Sequence, residues 1–220
     1  MFALGDDQVL RSSLFTDFEW MTHGFGTRHA VNWPGETATL KQIHSGDVIA
    51  VCAARTDELG PGDALVTALP GVRLSIRTAD CVPLLFADPV RRVVAAVHAG
   101  WRGTAQTISC RTIELMISEY GSAATDIHAA IGPAIGACCY EVSEDVAIQF
   151  REHLSPFWIE GQAKLDLAAI NRAQLIAAGV SETNIDSPTM CTRCDPDGLF
   201  HSFRRDGERS GRMHAVVGLI

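Results

Sequence analysis

The chain has 220 residues, of which 47% are hydrophobic and 20% charged, which is enough apolar side chain for a substantial buried core. Its formal charge of −8 argues against nucleic acid as the main partner, because phosphate binding favours a basic face. No Pro/Gly/Ser-rich segment divides the chain, and no stretch approaches the roughly 20 apolar residues of a membrane span. We therefore predict one domain, residues 1–220, with no membrane partner.

The seven cysteines are odd in number and lie in apolar segments. This pattern is typical of reduced thiols in a cytosol and not of a disulfide framework. The first ten residues contain Asp6 and Asp7 and lack the apolar core of a signal peptide. We expect a cytoplasmic protein that is a monomer.

Four short apolar runs in the first half of the chain predict strands, at residues 63–67, 72–76, 82–86 and 93–97. Turn signals at Pro70-Gly71 and Asp88-Pro89 separate them. Because the runs are continuously apolar and do not alternate with polar residues, the strands are expected to be buried on both faces.

The second half is predicted to contain three helices and two strands. The helices cover residues 104–120, 143–154 and 166–179, and the strands 127–131 and 213–219. Gly121 is the expected stop of the first helix, and Ser143 and Asp166 are the expected N-caps of the others. Strands and helices do not alternate regularly, so the pattern favours an α+β sandwich over a doubly wound sheet.

Metal-binding side chains lie at the ends of two predicted strands. Cys81 follows Thr78-Ala79-Asp80 at the start of one strand, and His98 ends the next, so antiparallel pairing would bring them together. His44 lies upstream in Gln42-Ile43-His44. Imidazole and thiolate are ligands that zinc prefers, and three protein ligands leave a fourth position open, as in catalytic zinc sites.

The same residues also allow a metal-free interpretation. Cys81 would be a nucleophile and His98 its base, as in cysteine hydrolases. Such a dyad needs only two of the three residues, so a close approach of His44 as well would favour the metal. A third hypothesis is an interaction module without catalysis.

Arginines are the candidate anion-binding residues. Arg28 follows the turn Gly24-Phe25-Gly26-Thr27. Its guanidinium could bind two oxygens of a phosphate or carboxylate, and an ordinary surface arginine is an equally weighted alternative. A second basic run is predicted to be a solvated loop in preference to an anion site, although it is near a chain end that could fold back on a pocket. This run consists of Arg204, Arg205, Arg209 and Arg212.

Two cysteine pairs are left over. Cys191-Thr192-Arg193-Cys194 has the spacing of a redox pair or of half a zinc site, whereas Cys138 and Cys139 are adjacent. Neither pair completes a closed four-ligand site with ordinary spacing. A structural role is therefore favoured for them.

Together these motifs resemble the laccase-domain family, also known as the purine nucleoside phosphorylase or polyphenol oxidase family, which has a peptidoglycan-editing branch. The resemblance covers nearly the whole chain in the expected order. The matching segments are His23–Arg28, Gln42–His44, Thr78–Pro83, His98–Gly103, Ile131–Pro133, Leu165–Leu167, Cys191-Thr192, Ser202–Arg205 and Gly211-Arg212.

The resemblance implies an α/β/β/α sandwich with mixed sheets and a zinc site formed by His44, Cys81 and His98. It implies phosphorolysis of adenosine, inosine, guanosine and methylthioadenosine, with deamination of adenosine at the same site. Purine nucleosides and phosphate are then the expected partners. Members usually carry a longer segment before the Gln-x-His motif than the His29–Lys41 segment of this chain, which shortens one wall of the pocket.

Roles for further residues follow from the implied chemistry. Asp80 is a candidate general base or a group that orients the neighbouring ligand Cys81. Arg28 and Arg102 are expected to hold phosphate against the sugar. Arg28 and Gln42 are the expected substrate-binding residues.

Two other activities remain as alternatives. One is a cysteine or zinc amidohydrolase that edits peptidoglycan precursors. Copper polyphenol oxidase chemistry is least favoured, because multicopper oxidases commonly use His-x-His pairs, and the eight histidines of this chain include none. Copper at a His/Cys site would be adventitious, since Cu²⁺ outcompetes zinc for most such ligands.

Overall fold

The structure is a computed structural model that describes residues 1–54, 56–153 and 163–220. Its strands are β1 (Phe2–Leu4), β2 (Val9–Ser12), β3 (Met21–Gly26), β4 (Thr39–Lys41), β5 (Val48–Ala50), β6 (Glu58–Pro61), β7 (Ala64–Thr67), β8 (Arg73–Thr78), β9 (Val82–Asp88), β10 (Val93–Ala99), β11 (His128–Ile131), β12 (Glu141–Val142), β13 (Ala163–Lys164), β14 (Ile185–Asp186) and β15 (Met213–Leu219). Its α-helices are α1 (Trp101–Ala105), α2 (Ile108–Tyr120), α3 (Glu144–Ala147), α4 (Leu167–Ala177) and α5 (Phe203–Asp206). Short 3-10 helices cover Ser13–Phe15, Ala124–Asp126, Ile148–His153, Glu182–Asn184 and Gly207–Arg209.

Two main sheets are formed by these strands. The five-stranded sheet has the order β1-β2-β3-β15-β8 and is antiparallel throughout. The six-stranded sheet has the order β14-β11-β9-β10-β7-β5 and is mixed, because β14 and β5 pair with their neighbours in parallel. The remaining pairs are β4-β6 and β12-β13.

The central strands of the six-stranded sheet are buried on both faces. From β10, Val93, Ala95 and Val97 join a core that includes apolar residues of α2 and α4. The alternate residues Val94 and Ala96 join the core between the two sheets. This explains the continuous apolar runs, since both faces of the strand contact apolar groups. The predicted α+β sandwich with mixed sheets is confirmed.

Most predicted elements are present, and the first helix differs in an informative way. The predicted helix 104–120 is divided into α1 and α2 at Thr107, whose φ of 55° lies in the left-handed region and interrupts the helix. Gly121 ends α2 in the left-handed conformation, as predicted. Asp166 caps α4 by accepting a hydrogen bond from the Ala169 N–H at 2.9 Å.

The predicted helix 143–154 is shorter than expected. Ser143 occupies the N-cap position of α3, and the chain then continues as the 3-10 helix Ile148–His153. Leu154 lies outside the described residues. Across the described parts of the chain, no helix combines the length and the apolar character that a membrane crossing requires.

Candidate metal site and substrate cleft

The three candidate metal ligands come together at one end of the six-stranded sheet. Strands β9 and β10 pair antiparallel with Ala99 opposite Val82, which places Cys81 beside His98. His44 reaches them from the loop after β4. The ligand atoms of the three residues all lie within 4.8 Å of one another, and the two imidazole rings are nearly perpendicular, at 80°.

Asp63, at the start of β7, holds two of these ligands in place. Its Oδ1 lies 2.8 Å from His98 Nδ1 and accepts a hydrogen bond from the His44 N–H at 3.0 Å. Its Oδ2 accepts hydrogen bonds from the N–H and the hydroxyl of Ser45 at 2.6 and 2.9 Å. Asp63 is fully buried. In the sequence Asp63 is only the first residue of a predicted strand, and the Gly62-Asp63 turn before an apolar run is the one local sign of its role.

The backbone around the ligands is constrained. His44 and Asp80 have φ angles of 60° and 88°, which are uncommon for residues other than glycine and are often found at functional sites. A Cβ at Gly100 would lie 3.1 Å from both Cys81 Sγ and His44 Cδ2. Glycine at this position therefore allows the backbone to approach the ligand set closely.

The electrostatics of the site favour an ionised thiol. Burial opposes ionisation of Cys81, but the hydrogen bonds and charges of His44 and His98 outweigh it and lower the pKa of the thiol to about 6. Burial likewise opposes protonation of His98, but Asp63 and Cys81 raise the pKa of its imidazole to about 9. At neutral pH the metal-free site therefore pairs the Cys81 thiolate with a protonated His98. A divalent, thiophilic cation such as zinc would displace the His98 proton and find one thiolate and two imidazoles as donors.

The residues present fit such an ion. The bond between His98 Nδ1 and Asp63 leaves Nε2 as the ring nitrogen available for a ligand bond, the arrangement in which a carboxylate orients a metal-binding histidine. His98 is 3% exposed and Cys81 is partly exposed, whereas His44 is exposed. The site is therefore anchored in the core and open on the His44 side.

The three ligands lie in a cleft of about 770 Å³. Its wall combines the turn before β9, the loop between β11 and β12, and the segment around α5. The lining residues are Gln42, His44, Arg77, Thr78, Ala79, Asp80, Cys81, His98, Ile135, Tyr140, Phe203, Arg204, Ser210 and Arg212.

Asp80 and Gln42 both line the cleft, and both are engaged by the chain. The two carboxylate oxygens of Asp80 accept hydrogen bonds at 2.6 Å from the Thr192 hydroxyl and the Arg204 N–H. The Gln42 amide pairs with the backbone N–H and carbonyl of Arg77, each at 2.8 Å. These contacts favour the orienting role for Asp80 over that of a general base.

The two arginines that the sequence favoured lie near the cleft without lining it, and the charge of Arg102 acts on Tyr140 in the cleft wall. Arg28 and Arg102 are exposed and are absent from the described lining. Arg28 lies near His201, where burial and then the charge of Arg28 lower the pKa of the imidazole. Arg102 stacks over the Trp101 ring at 4.3 Å.

Arg204 and Arg212 belong to the basic run that was expected to be a solvated loop, but they line the cleft together with Arg77. The Arg204 guanidinium donates to the Glu141 carbonyl at 2.9 Å, and that of Arg212 to the Ser210 carbonyl at 2.9 Å. The chain end does fold back on the pocket. Local sequence could not show this, because β15 reaches the sheet only through long-range pairing with β3 and β8.

Comparison with known proteins agrees with this description. The family described as multi-copper polyphenol oxidoreductase laccase matches residues 26–220. A purine nucleoside phosphorylase of Deinococcus radiodurans is 47% identical over 185 residues, which are 83% of this chain and 70% of the relative. Adenosine deaminase RL5, from an unknown prokaryotic organism, is 41% identical over 70% of this chain and 61% of its own length. The crystal structure of the Bacillus licheniformis hypothetical protein YfiH superposes with a TM-score of 0.88 at 30% identity, covering 100% of this chain and 99% of the other.

Fold and site thus define a mixed α/β sandwich with a His/Cys/His cluster in a cleft at the end of a sheet. The chain belongs to the multi-copper polyphenol oxidoreductase laccase family. The resemblance drawn from the sequence motifs is confirmed.

Proposed function

We propose that the protein is a zinc-dependent purine nucleoside phosphorylase that cleaves adenosine, inosine, guanosine and methylthioadenosine and also deaminates adenosine. The main supporting observation is that the ligand atoms of His44, Cys81 and His98 all lie within 4.8 Å of one another in a cleft. A cysteine–histidine dyad would not need His44, whereas a three-ligand metal site does. The names of the relatives supply the nucleoside chemistry.

Zinc in such a site supplies a Lewis acid and lowers the pKa of water toward 7. The chain's own residues hold the site ready for it. Asp63 keeps the proton of His98 on Nδ1, and the imidazoles of His44 and His98 keep Cys81 ionised. Asp80 ties the turn that carries Cys81 to Thr192 and Arg204.

Tyr140 is a candidate hydrogen-bond donor to the nucleoside. Its phenol is protonated at neutral pH, and burial, followed by the charge of Cys81, raises the pKa of the hydroxyl further, to about 12. The Arg204 guanidinium lies 5.3 Å from its ring centre. The ring and the phenol together suit a ligand with an aromatic base and polar edges.

Phosphate is expected to bind at the arginines of the cleft. In phosphorolysis a phosphate oxygen forms a bond to the anomeric carbon of the ribose while the carbon–nitrogen bond to the purine breaks, and the base leaves with the bonding electron pair and takes up a proton. Guanidinium groups offset the charge of the incoming phosphate. The backbone carbonyls that hold Arg204 and Arg212 keep these groups on the wall.

Replacing Arg212 by alanine is therefore expected to raise the apparent KM for phosphate about thirtyfold, since a charge-assisted contact of this kind contributes about 2 kcal/mol. Metal content should not change. Deamination, which consumes water in place of phosphate, should be affected much less. The measurement compares both reactions in the variant and the wild type.

Arg28→Ala is the informative comparison, because Arg28 is the phosphate ligand that the sequence resemblance favoured. The cleft geometry predicts a smaller change in KM for Arg28→Ala than for Arg212→Ala. A large rise in the apparent KM for phosphate in Arg28→Ala, without one in Arg212→Ala, would show that Arg28 is the residue that binds phosphate. Equal losses of phosphorolysis and deamination in Arg212→Ala would mean that Arg212 shapes the cleft without binding phosphate.

A second candidate function has one observation in its favour. Asp63, His98 and Cys81 occur in the order of orienting acid, base and nucleophile, with His98 Nδ1 2.8 Å from Asp63. This order would suit an amidohydrolase acting on peptidoglycan precursors. In this arrangement His44 would only assist the ionisation of Cys81 and would not be required, which is why we favour the metal-dependent function.

The direct test is product analysis with inosine as substrate. A phosphorylase converts inosine and phosphate to hypoxanthine and ribose 1-phosphate, and the rate falls to background when phosphate is omitted. Adenosine should yield inosine without phosphate. Release of free ribose at an unchanged rate without phosphate would identify a hydrolase, and no turnover of any of the four nucleosides would contradict the proposal.

A further inference from the structure

A second cluster of potential metal ligands lies outside the His44 site. Cys138 and Cys139 come from the loop between β11 and β12, and Cys191 and Cys194 from the segment between β14 and α5. Their four sulfur atoms all lie within 4.8 Å of one another. The sulfurs of Cys138 and Cys194 are 3.6 Å apart.

These separations match the size of one metal ion. Zinc–sulfur bonds of about 2.3 Å in a tetrahedron place the sulfurs about 3.8 Å apart. All four sulfurs can therefore approach a single centre through small side-chain adjustments. Each pair of cysteines supplies two of the four ligands of such a site, and the fold brings the two pairs together.

The backbone holds the two halves in register. Ala134 and Cys191 form an isolated parallel bridge, and the Thr192 N–H donates to the Ala134 carbonyl at 3.0 Å. The Gly136 N–H donates to Cys191 Sγ at 3.3 Å. Main-chain hydrogen bonds therefore hold the two cysteine-containing segments together without requiring bonds between the cysteine side chains.

Backbone N–H groups from both segments surround the Cys191 sulfur. The Gly136 N–H belongs to the loop that carries Cys138 and Cys139, and the N–H groups of Arg193 and Cys194 belong to the segment that carries Cys191. Backbone N–H groups directed at a sulfur stabilise the thiolate form, which is the form that binds metal.

We propose that Cys138, Cys139, Cys191 and Cys194 form a second, structural metal site that binds one thiophilic divalent cation, with zinc as the first choice. Four protein ligands close the coordination shell, so this ion has no open position for substrate. Iron offers the same ligand chemistry, and elemental analysis distinguishes the two. Whether this ion binds does not depend on whether the cleft processes nucleosides.

The position of the cluster gives the ion a defined role. Thr192, between Cys191 and Cys194, donates its hydroxyl proton to Asp80 Oδ1 at 2.6 Å, and Asp80 precedes the ligand Cys81. Tyr140, which lines the cleft, follows Cys139 directly. The ion would hold together two loops that shape the cleft. It would thereby position Asp80 and Tyr140 without contacting the substrate.

Elemental analysis of the purified protein tests this proposal. The wild type should contain about two metal ions per chain, and both Cys194→Ser and His98→Ala about one each. Cys194 is exposed, so serine should be tolerated by the fold, which circular dichroism can verify. Cys52→Ser, which removes another exposed cysteine outside the cluster, is the matched control and should retain about two.

The variants separate the two sites. The second site is overturned if the wild type contains a single ion, if His98→Ala removes that ion, and if Cys194→Ser retains it. The first site would then remain intact. An intact mass showing a disulfide between two of these cysteines, with no second ion, would overturn the second site equally.

A measurement on the wild type alone covers the case in which a variant fails to fold. Cobalt-substituted protein should show the charge-transfer absorption of a tetrathiolate site in addition to that of Cys81. Absorption from a single thiolate would contradict the proposal.

Discussion

Replacing His98 by alanine is expected to remove the metal ion from the cleft and, with it, nucleoside turnover. His98 is buried, hydrogen-bonded to Asp63 and within 4.8 Å of the other two ligand atoms, so its loss leaves two ligands and deprives the Asp63 carboxylate of its imidazole partner. Loss of a group that merely orients a ligand costs about 10- to 100-fold in affinity or activity. Loss of the ligand itself should cost at least about 100-fold, measured as kcat/KM with inosine and as metal content.

His44→Ala should give the same result, and it separates the two candidate functions. His44 is exposed and lies outside any dyad formed by Cys81 and His98. The control is His29→Ala, an exposed histidine outside the cleft. Full activity in His44→Ala together with an inactive His98→Ala would support the cysteine hydrolase.

The second large effect is expected at Asp63. In Asp63→Asn one carboxylate oxygen becomes an NH₂ group that faces N–H donors, whichever way the amide is turned. A buried donor left without a partner costs about 1–3 kcal/mol of unfolding free energy. The loss of the carboxylate behind His98 should in addition weaken metal binding about 10- to 100-fold.

Two measurements check the Asp63 prediction: urea unfolding and a metal competition assay. Asp47→Asn is the matched control, because Asp47 follows the same loop but is exposed. Asp63→Asn with the stability and metal affinity of the control would show that Asp63 does not position the ligands.

The sequence predicted the strands and the ligand pair because local patterns determine them. A buried strand needs apolar side chains on both faces, so β9 and β10 are visible as apolar runs, and their antiparallel pairing places Cys81 beside His98. The α1–α2 break was missed because nothing in the apolar spacing marks the left-handed backbone at Thr107.

The rest of the site depends on contacts between distant segments. The role of Asp63 in positioning the ligands depends on the contact between the turn before β7 and the loop that carries His44, which the sequence does not show. In the sequence each cysteine pair supplies only two ligands, because residue spacing describes a single segment. The bridge between Ala134 and Cys191 brings the two cysteine-containing segments together. Arg212 is likewise carried to the cleft by the chain end that forms β15.

Metal-dependent phosphorolysis is tested most directly by the inosine assay on one preparation before and after metal removal. A chelator strong enough to strip the His44 site should abolish phosphate-dependent formation of hypoxanthine, and added zinc should restore it in proportion to the zinc bound at that site. The folded state is monitored by circular dichroism throughout. Undiminished hypoxanthine formation by folded protein free of metal would contradict a metal-dependent phosphorylase.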